Sequence, residues 1–503
     1  MNRILSASQI RAWDAYTIAH EPIASIDLME RASQAFVEKF VGLYPLLVGK
    51  ILIVCGLGNN GGDGLAVARL LQAKGHEVEI WVIRYGGQES ADFQTNYQRC
   101  SSNPIEITNL AQICALPTSP TVIIDALFGS GLNKPLVGLA GKIVEWLNAQ
   151  PIPVVAIDIA SGLSADSPTF GQNVVRPTHT ISFQIPKLAF FLPQNADFVG
   201  NFHIVPIGLH ETYSNQVETT YHFLTADLVG KFLKKRPKFG HKGTFGHALI
   251  IGGSYGKMGA VVLATEACLR SGAGLATAYI PQIGYHILQT AVPEAMALTD
   301  KGEHFITQLP DCKMFNAIGI GVGLDKKVAT QKMLLDLFIK QKQPLTLDAD
   351  ALNIMSENKF LLELLPAHSI LTPHPKEFER LTRPTQDHFE RLDILRNFAQ
   401  VYGVYVILKG AYSALATPTG EVFFNTTGNA GMATGGSGDV LTGIITGFLA
   451  QGYTPFEASA LGIYVHGLAG DIFVEDNAPE TLLARDLVAN IGKALMRLSS
   501  EKF

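Results

Sequence analysis

Ile51-Leu52-Ile53-Val54-Cys55-Gly56-Leu57-Gly58-Asn59-Asn60-Gly61-Gly62-Asp63-Gly64 is the stretch from which the fold is read. Five consecutive apolar residues predict a strand buried on both faces, as in a parallel sheet. The glycines predict a turning loop, and residues 65–73 predict the helix that follows. Strand, glycine loop and helix are the first half of a βαβ unit. Gly56, Gly58 and Gly61 also satisfy the G-x-G-x-x-G spacing of dinucleotide-binding turns. The next strand, 78–83, however, ends on Arg84 and not on an acid that would grip an NAD ribose. The unusual part is the density of Asn59, Asn60 and Asp63, because a structural turn needs no such cluster of side-chain oxygens. Such a loop could bind phosphate through its amides while Asn60 offers an oxygen to a cation.

Working outward, Ser6-Ala7-Ser8-Gln9 is a capping-box pattern opening an amphipathic helix, and a second helix is expected over 25–40. Two more buried strands end in polar residues. Residues 121–125 run into Ala126-Leu127-Phe128-Gly129-Ser130-Gly131-Leu132-Asn133-Lys134-Pro135, and 153–158 run into Ile159-Ala160-Ser161-Gly162-Leu163. In an open α/β sheet such strand ends point into one crevice, where ligands bind. One terminal aspartate is usually a helix cap; Asp125 and Asp158 together with the Asn59–Asp63 cluster point to a shared site. After Phe198 the pattern loosens, and residues 211–220, polar and without apolar periodicity, are expected to be a linker.

A second α/β set begins with a strand over 247–251, the loop Gly252-Gly253-Ser254-Tyr255-Gly256-Lys257-Met258-Gly259 and a helix over 260–270. Gly256-Lys257 has part of a Walker A loop, but its first glycine is misplaced and Met258 replaces the required hydroxyl residue, which argues against a P-loop NTPase. Further strand ends supply Gly321-Val322-Gly323, Asp348-Ala349-Asp350, Thr372-Pro373-His374-Pro375-Lys376-Glu377 and Lys409-Gly410-Ala411-Tyr412-Ser413. Hairpin strands around 417–425 lead to Thr434-Gly435-Gly436-Ser437-Gly438-Asp439-Val440-Leu441-Thr442-Gly443. Glycines turn backbone amides towards a common point, and the following helix adds its positive end, so this stretch is a candidate anion cradle. Asp439 reads either as an ordinary N-cap or as a carboxylate in the mouth of the cradle. Lys409 reads either as a phosphate contact or as a solvated strand-end lysine. His374, held stiffly between two prolines, reads as a ligand contact more readily than a core histidine would, and with no neighbouring ligand set it does not point to a metal. Helices over 455–473 and 482–498 close the chain.

At 503 residues the chain calls for two or three domains. A hydrophobic content of 47% with 17% charged residues fits buried globular domains and excludes disorder. The net charge of -5 leaves no electrostatic footprint for nucleic acid. The short basic cluster Lys231, Lys234, Lys235, Arg236, Lys238 reads as a solvated connector. The five cysteines have no C-x-x-C spacing, which argues against structural zinc and a disulfide framework; Cys55 and Cys268 read as inert core thiols. The first 14 residues lack the apolar core of a signal peptide, and no apolar run reaches membrane-spanning length. A soluble, cytoplasmic protein with no membrane partner is expected.

Taken in order, these motifs resemble the bifunctional NAD(P)H-hydrate repair enzymes over nearly the whole chain. Gly58 to Gly64, Asp125-Ala126-Leu127-Phe128-Gly129 and Ile157-Asp158-Ile159-Ala160-Ser161-Gly162-Leu163 resemble the epimerase half. Gly256 to Gly274, Thr372 to Glu377 and Gly428 to Gly443 resemble the dehydratase half. The resemblance implies an α/β chain of two domains: a Rossmann-like three-layer αβα epimerase over 1–215 and a ribokinase-like αβα dehydratase over 222–503. It implies NADH or NADPH hydrated on the nicotinamide ring as substrate, the R and S forms being interconverted by the first half. The second half would dehydrate the S form with ADP, giving NAD(P)H, AMP and phosphate.

Carried over residue by residue, Asn59, Asn60, Gly61, Gly62, Asp63, Gly129, Ser130, Gly131, Leu132, Asn133, Lys134, Pro135 and Asp158 would bind the hydrate in the first half. Asn60, Asp125 and Ser161 would hold potassium. Asp158 is the acid–base candidate there, with Lys187 a weaker one because a lysine after a proline is often merely exposed. In the second half Lys409, Gly410, Ala411, Tyr412, Ser413 and Gly438 resemble the adenine-nucleotide contacts. Ala260, Gly323, His374 and Asp439 resemble the hydrate contacts there, with Asp439 as general base and Mg2+ neutralising the diphosphate. A homo-oligomer is also implied. Ala160 and Ala430 stand where the family commonly has proline, Lys376 replaces a glycine and Ser413 a threonine; none removes a proposed chemical group. Two rivals remain open at this point: a ribokinase-type small-molecule kinase with a regulatory first half, and a nucleotide-sensing binding protein.

Overall fold

The computed structural model describes residues 2–115, 119–132 and 134–500, which divide into two compact units, Arg3–Thr219 and Thr220–Phe503 (the latter with Asn2). Asn133, expected among the hydrate contacts, lies outside the described residues.

The first unit opens with α1 (Ala7–His20), whose capping box pairs Ser6 with Gln9, and α2 (Ser25–Leu43). Its strands are β1 (Ile51–Cys55), β2 (Val78–Ile83), β3 (Ile105–Ile107), β4 (Val122–Ala126), β5 (Val154–Ile157), β6 (His179–Phe183) and β7 (Asn201–Val205). They form one sheet in the order β3-β2-β1-β4-β5-β6-β7, with every pair parallel. The apolar run of β1 is buried on both faces as expected: Leu52 and Val54 enter one core, and Ile51, Ile53 and Cys55 the other. Burial also pushes the Cys55 thiol well above its ordinary value, which makes it inert.

The expected glycine loop is shorter than the sequence suggested. Helix α3 runs Asn59–Ala73, so Asn59 to Gly64 are its first turns and not a loop. Close packing is the reason. A Cβ on Gly61 would lie 2.0 Å from the Gly56 carbonyl oxygen, so the helix can start against the strand end only because that side chain is missing. Gly61→Ala is expected to cost about 1–3 kcal/mol, since the clash is with backbone and nothing flexible can yield; an unchanged urea midpoint would count against this. The expected linker also differs. Residues Glu211–Gln216 form a short helix, begun by the His210 side chain accepting from the Thr212 N–H and anchored by buried Ser214.

The second unit has ten strands: β8 (Tyr221–Phe223), β9 (His247–Ile251), β10 (Leu275–Ile280), β11 (Met296–Thr299), β12 (Ala317–Ile320), β13 (Leu345–Leu347), β14 (Ile370–Leu371), β15 (Tyr405–Leu408), β16 (Ala414–Ala416) and β17 (Val422–Phe424). Their order is β11-β10-β9-β12-β13-β14-β15-β16-β17-β8. Strands β9 to β15 pair in parallel, and β15, β16 and β17 form an antiparallel meander. The apolar helix Ser437–Ala450 is buried along nearly its whole length, packed on the helix Met258–Arg270 and on strands β9 and β12. No helix among the described residues is long and apolar enough to cross a membrane.

Each sheet reverses its strand order once near the middle, between β1 and β4 in the first unit and between β9 and β12 in the second. Loops leave the carboxyl ends of such neighbours in opposite directions and open a crevice. Asn59 to Asp63 and Asp125 fall at the first of these places and Gly323 at the second, while Asp158, Asp348, His374 and Lys409 follow the strands β5, β13, β14 and β15.

Candidate active sites

In the first unit the crevice is a cavity of about 560 Å³. Asn59, Asn60, Asp63, Gly129, Ser130, Gly131, Leu132, Lys134 and Asp158, all named from the resemblance, line it. Gly61, Gly62 and Pro135 do not; Gly61 and Gly62 serve packing, with the Gly62 carbonyl accepting from Asn96 Nδ2. The sequence reading missed Arg11, whose guanidinium lies 3.5 Å from where a Cβ on Gly131 would stand, and Asp14, both on α1.

Asp158 sits at φ +64°, a left-handed conformation that a non-glycine residue adopts only when its surroundings hold it. Its N–H donates to the Ile181 carbonyl (2.8 Å). Its Oδ1 accepts from the Phe183 N–H (3.0 Å), the Ser182 hydroxyl (3.2 Å) and the Lys187 ammonium. Lys187 is not the exposed residue that its place after a proline suggested. It is 1% exposed, and Nζ also donates to Ser182 Oγ (2.8 Å) and the Phe183 carbonyl (2.9 Å). The ammonium, strand β6 and the strained backbone together fix one oxygen of Asp158 at the strand end. Asp63, beside them, is held well above the usual carboxylate range by burial and by the charges of Asp158, Asp14 and Asp92.

Asp125 is wholly buried, its Oδ2 accepting from the Ser161 N–H (2.8 Å) and its Oδ1 from the Ser161 hydroxyl (2.6 Å) and the Leu127 N–H (3.2 Å). Burial pushes its pKa up to about 6 against those bonds. Ser161 Oγ also accepts from the Phe128 N–H (2.8 Å), tying the loop after β4 to the loop after β5. Asn60 packs against Gly129, and its Nδ2 is buried with no partner among the described residues. Asn60 thus lies against the loop that Ser161 and Asp125 hold in place.

In the second unit the helix Ser437–Ala450 is capped by Gly436 at φ +90°, with no side chain on the first-turn amides. Asp439 is the third residue of that helix, so the ordinary N-cap reading does not hold. Its carboxyl is raised to about 7, first by burial and then by Asp348 and Asp350, with Lys409 opposing. Asp348, quoted from the sequence without a role, organises the centre. Its Oδ1 accepts from Lys409 Nζ (2.8 Å) and its Oδ2 from the Thr442 hydroxyl (2.9 Å). A Cβ on Gly438 would stand 3.1 Å from Lys409 Nζ, so the cation lies against the helix start and is not a solvated strand-end lysine.

Gly323, at φ +60°, has its carbonyl bonded by the Ser254 hydroxyl (2.8 Å), and a Cβ on it would stand 3.2 Å from that of Ala260. Asp350 Oδ2 accepts from the Asp325 N–H (2.8 Å) and pairs with Lys257, which ties this loop to the Asp348 segment. His374 caps the helix Pro375–Leu381, Nδ1 accepting from the Lys376 and Glu377 N–H groups. Its pKa is lowered by burial and by Lys409, so the ring is neutral with Nε2 carrying the proton. The Lys409 N–H bonds the Pro373 carbonyl (2.9 Å), which sets His374 beside the lysine strand end. Ser413 Oγ closes the Gly410–Ser413 turn on the Gly410 N–H (3.3 Å) and carbonyl (3.2 Å).

Comparison with known proteins agrees with this division. Residues 25–189 match the family described as YjeF-related protein N-terminus, and residues 248–493 match NAD(P)H-hydrate dehydratase. A bifunctional NAD(P)H-hydrate repair enzyme of Moorella thermoacetica is 34% identical, with 99% of this chain and 97% of that protein covered. Its Escherichia coli counterpart is 33% identical over 92% of this chain and 88% of its own. Among solved structures, a ribokinase-like superfamily protein of Enterococcus faecalis matches at 30% identity and a TM-score of 0.50, covering 57% of this chain and 99% of that one. With both family regions in this order and full-length relatives above 30% identity, the chain belongs to the bifunctional NAD(P)H-hydrate repair enzymes.

Proposed function

We propose that residues 1–215 interconvert the R and S forms of hydrated NADH and NADPH, and that residues 222–503 dehydrate the S form with ADP. The observation that carries the second half is Asp439, a carboxylate held proton-hungry on the open first turn of a buried helix, beside Lys409. Lys409, the Gly410–Ser413 turn and Gly438 bind the nucleotide. Ala260, Gly323 and His374 hold the hydrated ring. Asp439 takes the proton of the ring hydroxyl as that oxygen bonds the β-phosphorus. The bond from this phosphorus to the bridging oxygen breaks, and AMP leaves with the electron pair. Unpaired N–H groups of the helix start stabilise the charge on the transferred group. The phosphorylated ring then expels phosphate from carbon and loses a proton from the neighbouring carbon, which restores the double bond of NAD(P)H. Both oxygens of Asp348 are taken by Lys409 and Thr442, so Mg2+ would come with the diphosphate and neutralise it.

Asn60, Asp125 and Ser161 fit potassium. The buried Asp125 carboxylate has no cationic hydrogen-bond partner among the described residues, and Asn60, against the loop after β4, has an amide oxygen to offer. The ion would supply positive charge to that carboxylate and to the phosphates of the hydrate. Replacing potassium by tetramethylammonium is expected to slow epimerisation about 10–100-fold and to leave dehydration of the S form unchanged.

The deciding assay follows recovery of the dihydronicotinamide absorbance from mixed R and S hydrates with ADP, with spontaneous epimerisation subtracted. Full recovery is expected. Phosphorylation of a vitamin-like alcohol with ATP alone would favour the kinase reading, and hydrate binding without turnover would favour the sensing one. The protein would act in the cytoplasm as a homo-oligomer.

A further inference from the structure

Asp14 stands outside every set of residues assigned so far. It lines the same cavity as Asp63 and Asp158, but from α1, a helix that precedes the sheet and belongs to none of its strand-end loops. That helix is held firmly. Trp13 Nε1 donates to the His210 carbonyl (2.9 Å), and Thr17 Oγ1 accepts from the His210 N–H (3.0 Å). Trp13 also packs with Leu28, Ile207 and Leu209. Asp14 lies between Trp13 and Thr17 on the helix, yet its carboxyl makes no hydrogen bond among the described residues. Asp158, by contrast, is fully engaged at Oδ1 by Lys187, Ser182 and Phe183.

A carboxyl on a rigid element, facing a cavity and carrying no structural bond, is available for chemistry. Burial, reinforced by the charge of Asp158 and opposed by Lys187, raises its pKa to about 7. Among the four aspartates that line the cavity, Asp14, Asp63, Asp92 and Asp158, the first and the last stand on different elements in different states of engagement. One is ion-paired and bonded; the other is unbonded and retains its proton near neutrality.

We propose that Asp14 is the second acid–base residue of epimerisation, acting on the face of the hydrated ring opposite Asp158. This rests on the reading of the first unit as the epimerase. Hydration of an enamine places the hydroxyl on the carbon bonded to nitrogen, so R and S differ at a carbon whose cation the nitrogen can stabilise. From the R form, the Asp14 carboxyl gives its proton to the hydroxyl oxygen. The carbon–oxygen bond breaks, water leaves with that electron pair, and the nitrogen lone pair forms a carbon–nitrogen double bond. A second water adds from the other face, its oxygen supplying the electrons of the new carbon–oxygen bond while the π pair returns to nitrogen. Its proton goes to Asp158. One proton has moved from Asp14 to Asp158, and exchange with solvent or the reverse turnover resets the pair.

The test uses the full chain, with Asp14→Asn and Asp14→Glu, on purified R hydrate. The R-to-S step is read with ADP in excess, and dehydration of the S hydrate by the same preparation serves as the folding control. Asp14→Asn is expected to lower R-to-S kcat about 100-fold or more with KM little changed, and Asp14→Glu to recover part of it. The wild-type R-to-S rate should fall as the pH rises through about 7, where Asp14 loses its proton. That limb should be missing from the residual activity of Asp14→Asn. An asparagine variant within about threefold of wild type, or a slowed one that keeps the limb or changes only KM, overturns the assignment. A wild-type chain that dehydrates S but never converts R overturns the epimerase reading itself, and Asp14 with it.

Discussion

Asp439→Asn is expected to lower ADP-dependent dehydration of the S hydrate by about a thousandfold or more, because it removes the proton acceptor at the moment phosphoryl transfer begins. Asparagine keeps the size of the side chain and the helix start, so nucleotide binding should survive. The wild-type rate should climb as the pH rises through about 7, since a base must be ionised and this carboxyl ionises there. Stability separates loss of chemistry from loss of fold. The folded-state pKa lies above the ordinary value of 3.8, so the unfolded chain releases this proton first as the pH rises. Ionisation therefore works against the fold: the penalty is absent well below the ordinary value and complete above about pH 7. Asp439→Asn cannot ionise and should melt no lower than wild type, and higher at alkaline pH. Dehydration at wild-type rates in this variant would remove Asp439 as the base.

Asp158→Asn should produce the complementary phenotype: conversion of R slowed about 10²–10⁴-fold, with dehydration of purified S hydrate untouched. Equal slowing of both would contradict two separate sites. Lys187→Met attacks the same centre from behind. It leaves Asp158, Ser182 Oγ and the Phe183 carbonyl without the buried ammonium that bonds all three. Breaking a buried ion pair from one side costs about 3–5 kcal/mol; with the Asp158 side chain still 17% exposed, the lower end is expected. The combined Asp158→Asn, Lys187→Met variant should lose less than the sum of the two, because the second change removes a charge that the first has already left unpaired. A urea midpoint for Lys187→Met equal to that of wild type would show that the pair contributes nothing.

Much of the fold was legible because a strand buried on both faces must be apolar without interruption, and a close strand-to-helix approach must use glycine. Hence Ile51 to Cys55, Ala248 to Ile251 and the glycines after each could be read directly. The acids Asp125, Asp158 and Asp439 were legible because they end apolar runs or begin one. Less readable were residues whose meaning depends on a partner. Asp348 bonds Lys409 and Thr442, which lie 61 and 94 positions further along, and no local spacing announces such a contact. Asp14 is, in the sequence, one polar residue among several on an amphipathic helix. Lys187 looked solvent-bound until strand β6 and Asp158 closed around it. The helix at Asn59 began earlier than its polar, glycine-rich sequence suggested, because α2 and the ends of β1 and β4 hold those turns in place.

The sequence by itself thus determined two α/β units built on parallel strands and which strand ends carry polar groups, since these follow from local patterns of burial, turning and charge; the family came from the resemblance of its motifs taken in order. Tertiary structure alone decided which of those groups meet and in what state of protonation. Strand order brings together loops that are distant along the chain, and only there do burial and neighbouring charge raise Asp14 and Asp439 towards neutrality.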